Sequence, residues 1–153
     1  MLLLFWKQAQ REDRTNLSPV HLYGKLSRLR KETSFVIGEI QYALVNDHVF
    51  SFMRFAKNSA PYLIAVNVGQ AESSCDFTLT AGVQYGKIVA YAKPVGDKVV
   101  RNKAYTEGRT IDLQQVTLYP GEGMVLLLLV DIVMDMNAFW SFFAITISEN
   151  IFI

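Results

Sequence analysis

Residues 39–56 read EIQYALVNDHVFSFMRFA, and their spacing decides the fold class. Two runs rich in β-branched and aromatic residues flank Asn46-Asp47-His48. Asn and Asp bond their own backbone two residues on, which suits a tight reversal. The spacing therefore predicts an antiparallel hairpin. In its second run Phe50 and Phe52 share one face, while Val49, Ser51, Met53 and Phe55 share the other. Apolar residues on both faces predict a central strand, covered on each side.

Working outward, KNSAP (57–61) predicts the next turn and YLIAVNVG (62–69) a nearly continuous apolar strand. DFTLT (76–80) and GKIVAYA (86–92) predict two more strands, separated by Gly82 and Gly86. A polar loop, PVGDKVVRNKAYTEGR (94–109), follows. IDLQQVTLYP (111–120) predicts a short strand, PGEG (120–123) a hairpin turn and MVLLLLV (124–130) a closing strand. Strands every 8 to 12 residues or so with turn signals between them predict an antiparallel sandwich or barrel. With no strand–helix–strand alternation after residue 35, a parallel sheet is not expected.

The segment before the hairpin has a different period. Ser18-Pro19 predicts a helix start, a serine cap followed by proline in the first turn. Leu22, Leu26 and Leu29 then recur at i, i+4 and i+7, with Tyr23 on the flank and Lys25, Arg28, Arg30 and Lys31 on other faces. The prediction is an amphipathic helix over 18–32. Such a helix is marginal alone and needs a surface to pack on.

Composition narrows the function classes. The chain has 153 residues, suited to one domain, with Lys+Arg 15 against Asp+Glu 14. That balance lacks the basic footprint of nucleic-acid binding, and no nucleic-acid partner is expected. One cysteine, Cys75, excludes an internal disulfide framework and a cysteine-rich zinc site. It is expected to be a small apolar residue on a strand. His21 and His48 are too isolated to suggest a metal centre, so neither metal nor cofactor is expected. No Lys or Arg follows Arg109, while apolar content rises through Met124–Ile147. That stretch has the length of a membrane span, but Asp131 and Asp135 inside it would each cost about 2.5–3.5 kcal/mol near a bilayer centre. Residues 131–153 are expected to be an atypical hydrophobic tail, either an extra strand or helix or a segment outside the domain. MLLLFWK (1–7) is too short and wrongly flanked for a signal peptide.

No pattern of catalytic residues emerges. There is no glycine-rich phosphate loop, no GxSxG elbow and no pair of histidines at i, i+4. The carboxylates Glu39, Asp47, Glu72, Asp76, Asp97, Glu107, Asp112 and Glu122 fall almost entirely in expected turns or strand ends, where acids are solvated. Glycosidic cleavage needs two of them roughly 5 to 9.5 Å apart across a cleft, and spacing nominates no such pair. Asn16-Leu17-Ser18 matches the glycosylation pattern, although Ser18 already has a capping role. Phe50, Phe52, Phe55, Tyr62, Tyr85, Tyr91 and Tyr105 read as core rings rather than a sugar-stacking platform.

The order of segments carries more information than any one of them. Ala9-Gln10, LYGKLSRLRKE (22–32), Gly38, VNDHVFSFMR (45–54), YLIAVNVG (62–69) and LYPGEGMVLLL (118–128) follow one another as in the C-terminal end of glycoside hydrolase family 13 proteins of the α-glucosidase type. The resemblance is to insect-type maltases in particular, and in outline to the related amino-acid transporter heavy chains. It covers residues 9–129.

The resemblance implies that 1–34 is a remnant of a catalytic (β/α)8 barrel with its last helix at 18–32. Residues 35–130 would be the C-terminal β-sandwich, with Phe50, Phe52, Arg54 and Asn67 on its strands, and 131–153 the tail. The barrel would be the partner, its flank buried against Leu22, Leu26 and Leu29. The enzymes' catalytic Asp, Glu and Asp lie on barrel strands, and no residue here matches them, so no catalytic, cofactor-binding or metal residue is assigned. Where the family carries an Asn-Val pair before Ala9 this chain reads LLLFWK, and it runs on past Leu129. Both features suggest a truncated or mis-spliced product. The resemblance further implies a secreted or membrane-associated extracellular parent. Two other readings are a heavy-chain ectodomain, with a membrane transporter light chain as partner, and a free-standing carbohydrate-binding sandwich.

Overall fold

The computed structural model describes residues 19–92 and 105–130. It is predominantly antiparallel β. The chain enters through helix α1 (Pro19–Leu29) and a single turn of helix, α2 (Thr33–Val36). Among the described residues eight strands follow, β1 (Glu39–Val45), β2 (Val49–Phe55), β3 (Tyr62–Asn67), β4 (Ser73–Cys75), β5 (Tyr85–Ala92), β6 (Thr110–Asp112), β7 (Val116–Leu118) and β8 (Gly123–Leu128). A third helical turn, α3 (Thr78–Ala81), separates β4 from β5. Six strands form one sheet in the order β1-β2-β3-β8-β5-β6, while β4 and β7 pair as a small second sheet.

The hairpin forms for the reason its sequence suggests. Asn46 Oδ1 accepts from the backbone N–H of His48 and of Val49, at 2.9 and 2.7 Å, and holds the reversal closed. Strand β2 lies between β1 and β3, with Val49, Ser51, Met53 and Phe55 buried on one side and Phe50 and Phe52 on the other. Register extends this division across the sheet. Leu63 faces Leu126 and Ala65 faces Met124 on the inner side, whereas Tyr62 faces Leu127 and Ile64 faces Val125 on the outer side. A bulge at Val89 reverses the phase of β5, so that Gly86, Ile88 and Tyr91 look inward and Ala90 and Ala92 outward.

The inner face is closed by the small sheet. Phe77, Leu113, Val116 and Leu118 are fully buried in one apolar cluster with Met53, Leu63, Ile88 and Leu126. Cys75, on β4, is buried in the same cluster. Burying a side chain of this size contributes roughly 1.5–3 kcal/mol, so this face supplies most of the apolar stabilisation.

Several sequence expectations are corrected. Residues 76–80 are not a strand. Asp76 Oδ1 accepts from the N–H and the hydroxyl of Thr78, at 2.9 and 2.6 Å, and Gly82 ends the turn at φ 64. An acceptor before and a left-handed glycine after define a helical turn, whatever the β propensity between them. IDLQQVTLYP holds two strands, β6 and β7, which belong to different sheets with buried Leu113 between them. PGEG does not close a hairpin, because β7 and β8 lie in different sheets. It is a turn with Pro second and Gly121 third at φ 78, closed by Glu122 N–H to Tyr119 O at 2.9 Å. That is the type II pattern.

The helix expected over 18–32 ends at Leu29. Lys31 and Glu32 donate to Arg28 and Leu29, three residues back, which tightens and stops it. Ser18, the glycosylation match at 16–18, the N-terminal apolar run, Asp97 and the 131–153 tail lie outside the described residues. No helix among the described residues is long and apolar enough to cross a membrane.

Candidate functional site

Among the described residues the outer face of the large sheet is covered only in part. Helix α1 lies across it, and Leu22, Leu29 and, from α2, Phe35 pack on the buried cluster of Tyr62, Ala90 and Val125, as do Ile64, Val89 and Leu127 of the sheet itself. The three leucines expected to meet an absent neighbour are therefore divided. Leu22 and Leu29 rest on this chain's own sheet, while Leu26 is 38% exposed. Beneath Leu22 and Leu26 runs an open apolar groove of about 150 Å³, floored by Ile64, Val66, Ala90 and Gly123. Small residues in the floor leave a recess that one helix turn does not fill.

Polar ties hold the helical segment in place. Arg54, on the outer side of β2, donates to the carbonyls of Ser34 and Phe35, at 3.1 and 2.7 Å. The buried Ser34 hydroxyl donates to Ala60 O at 2.5 Å. A Cβ on Gly38 would lie 2.1 Å from Ser34 O, so only glycine lets the chain pass from α2 into β1. Lys25 of α1 forms an ion pair with Glu107. Burial pushes the Tyr62 phenol above its ordinary range, and the nearby Glu32 charge adds to the shift.

Beside the helices an apolar strip is exposed. Ile40, Tyr42 and Val45 of β1 are 56%, 65% and 59% exposed, and Phe50 of β2 is 36% exposed. Tyr42, Phe50 and Phe52 meet edge-on or tilted, with ring centroids 6.0 and 5.8 Å apart. Rings leaning on one another do not present the flat platform that stacks on a sugar. Phe55, Tyr62, Tyr91 and Tyr105 are buried, and Tyr85 is exposed.

One carboxylate departs from the solvated pattern read in the sequence. Glu122 is fully buried, accepting from the Tyr91 hydroxyl and from Tyr119 N–H. Its own carbonyl accepts from Asn67 N–H at 2.8 Å. Asn67 in turn donates from Nδ2 to the carbonyls of Ala71 and Leu118, both at 2.8 Å, and accepts from Gly69 N–H. Tyr105 packs edge-on against Tyr91 and accepts from Thr117 N–H. Burial is the main cause that pushes its phenol upward.

These groups bond one another inside the core and tie the two sheets together at the PGEG turn. They line neither the groove under α1 nor the shallow depression between α3 and Gln114. Glu122 is therefore a structural acid. Sequence reading missed it because its partner Tyr91 lies 31 residues away. Among the described residues no group of His, Cys, Asp or Glu could hold a metal ion.

Comparison with known proteins gives the arrangement a lineage. No family model matches the chain. Maltase A1 of Drosophila melanogaster is 28% identical over 109 residues, covering 71% of this chain and 18% of that protein. Isomaltulose synthase from Klebsiella sp. LX3 superposes with a TM-score of 0.58 at 20% identity, covering 79% of this chain and 19% of that one. Trehalulose synthase MutB from Pseudomonas mesoacidophila MX-45 superposes with a TM-score of 0.54 at 16% identity, covering 79% and 20%. The chain thus spans about a fifth of the length of the proteins it matches. In sequence and in fold, what it resembles is the C-terminal β-domain region of glycoside hydrolase family 13 proteins of the α-glucosidase type.

Proposed function

We propose that this chain is the accessory β-domain of an α-glucosidase-type protein, supporting a carbohydrate-hydrolysing (β/α)8 barrel and performing no catalysis itself. The observation that carries this reading is the placement of α1. The helix is fastened to the outer face of the sheet by Leu22 and Leu29, with the Lys25–Glu107 ion pair as a further tie, while Arg54 holds α2 beside it. It leaves Tyr23, 73% exposed, and Leu26 toward solvent. A helix that ends one domain and rests on the next would be held in this way, with its free side given to the barrel. By the same resemblance the parent works outside the cell, on terminal α-linked glucose of short oligosaccharides.

The test has two parts. Purified chain is expected to hydrolyse neither maltose nor an aryl α-glucoside, and turnover surviving active-site-free controls would overturn the reading. Co-expression with Maltase A1 lacking its matched 109-residue segment is expected to give a soluble complex, which Tyr23→Asp with Leu26→Asp weakens. A barrel that ignores the chain would count equally against it.

A further inference from the structure

The groove under α1 has the size and lining of a socket. Its volume is about 150 Å³, and every residue around it is apolar or glycine. An apolar void of about 150 Å³ stays dry and accepts a benzene-sized ring. The groove therefore suits one aromatic or large aliphatic side chain and no polar one. Its lip is α1 itself, through Leu22 and Leu26. Leu26 is also 38% exposed, beside Tyr23 on the side of α1 that faces away from the sheet. It thus stands at the mouth, between the groove and the surface already assigned to the barrel.

Charge sets a second requirement. Residues 19–38 carry Lys25, Arg28, Arg30 and Lys31 against one acid, Glu32. Lys25 is paired with Glu107, whereas Arg28, Arg30 and Lys31 are exposed and form no ion pair among the described residues. Cations at a helix C-terminus are favoured by its dipole, yet their charge stays open to a partner. Arg30 N–H donates to Leu26 O at 3.0 Å, so Arg30 stands one helical turn past Leu26 on the same side. The rise over that turn is about 6 Å.

Resting on the accessory-domain reading above, we propose that the barrel grips this chain by one anchor. An aromatic or large aliphatic side chain of the barrel seats in the groove beside Leu26, and a carboxylate about one helical turn further along pairs with Arg30. The apolar anchor supplies burial, and the ion pair fixes which way the barrel lies along α1.

The test is calorimetric titration of the chain with Maltase A1 lacking its matched 109-residue segment, at low and high salt. Gly123→Ala adds a methyl to the groove, where the new carbon meets Val66 at 3.4 Å, an ordinary contact that the fold tolerates. It is expected to weaken binding about tenfold at either salt. Arg30→Glu should weaken it several-fold and flatten its salt dependence. Leu79→Asp, on α3 and outside the groove, should change neither. If Gly123→Ala lowers the melting temperature, Ala92→Val, at the half-buried edge of the groove, decides in its place. Binding that the groove variants leave unchanged, or that ignores Arg30→Glu, would overturn the anchor and leave the accessory reading standing. No binding by the parent chain would remove that reading and the anchor with it. A dimer of the isolated chain that Gly123→Ala dissociates would overturn the anchor in favour of a second copy.

Discussion

The two faces of the six-stranded sheet are built from the same residue types and finished differently. Inside, Met53, Leu63, Ile88 and Leu126 are sealed by the small sheet and are at most 1% exposed. Outside, buried Tyr62, Ala90 and Val125 form only a small cluster under α1, and the strip at β1 lies open. Under the proposed accessory role, the difference separates what folds this domain from what it would offer to a neighbour, and substitutions should divide along the same line.

The largest effect is expected from opening the inner face. Leu126→Ala should cost about 2–5 kcal/mol, read as a shift in the denaturant midpoint. A cost below 1 kcal/mol would mean that the inner cluster does not carry the fold. Next comes the polar tie between the sheets. Asn67→Ala strands the buried carbonyl of Leu118 and removes a part-buried bond to that of Ala71, and the expected loss is roughly 1–3 kcal/mol by the same measurement.

Alkali should act on the inner face next. Burial raises the Cys75 thiol and the Tyr105 phenol in the folded state. The unfolded chain releases these protons first, so their stabilisation is complete below the ordinary thiol and phenol ranges. It is lost as pH rises through the raised folded values. Melting temperature should therefore fall from about pH 8.5 upward, and Cys75→Ala should remove the earliest part of that fall. A profile unchanged by Cys75→Ala would show that the thiol contributes nothing to it. The smallest effect is expected outside, where Leu26→Asp should cost less than Val66→Asp, since Leu26 is the more exposed of the two. Equal melting-temperature losses would erase the distinction between the helix and the sheet beneath it.

Much of this contrast was legible in the sequence where its cause is local. The 39–55 hairpin follows from alternation and from Asn46, which bonds the backbone two and three residues on. The helix at 19–29 follows from leucine spacing and a proline start. What failed depends on contacts made elsewhere. DFTLT alternates like a strand, yet Asp76 and Gly82 close it into a turn. The run at 86–92 gives no sign of the bulge at Val89, because both its neighbours, Ile88 and Ala90, are apolar. Glu122 looks like a turn acid until Tyr91 is brought to it across the sheet. The split of Leu22 and Leu29 from Leu26 was equally hidden, since period shows that a helix has an apolar side but not how wide a surface waits for it.

Native-state hydrogen exchange on the whole chain tests most directly whether one face folds the domain and the other awaits a neighbour. The amides of β2, β3, β5 and β8 should exchange together, at the free energy of global unfolding, whereas those of α1 should exchange at a markedly lower one and slow when the barrel is bound. If α1 exchanged as slowly as β3 in the isolated chain, the outer face would already be complete and the account would fail.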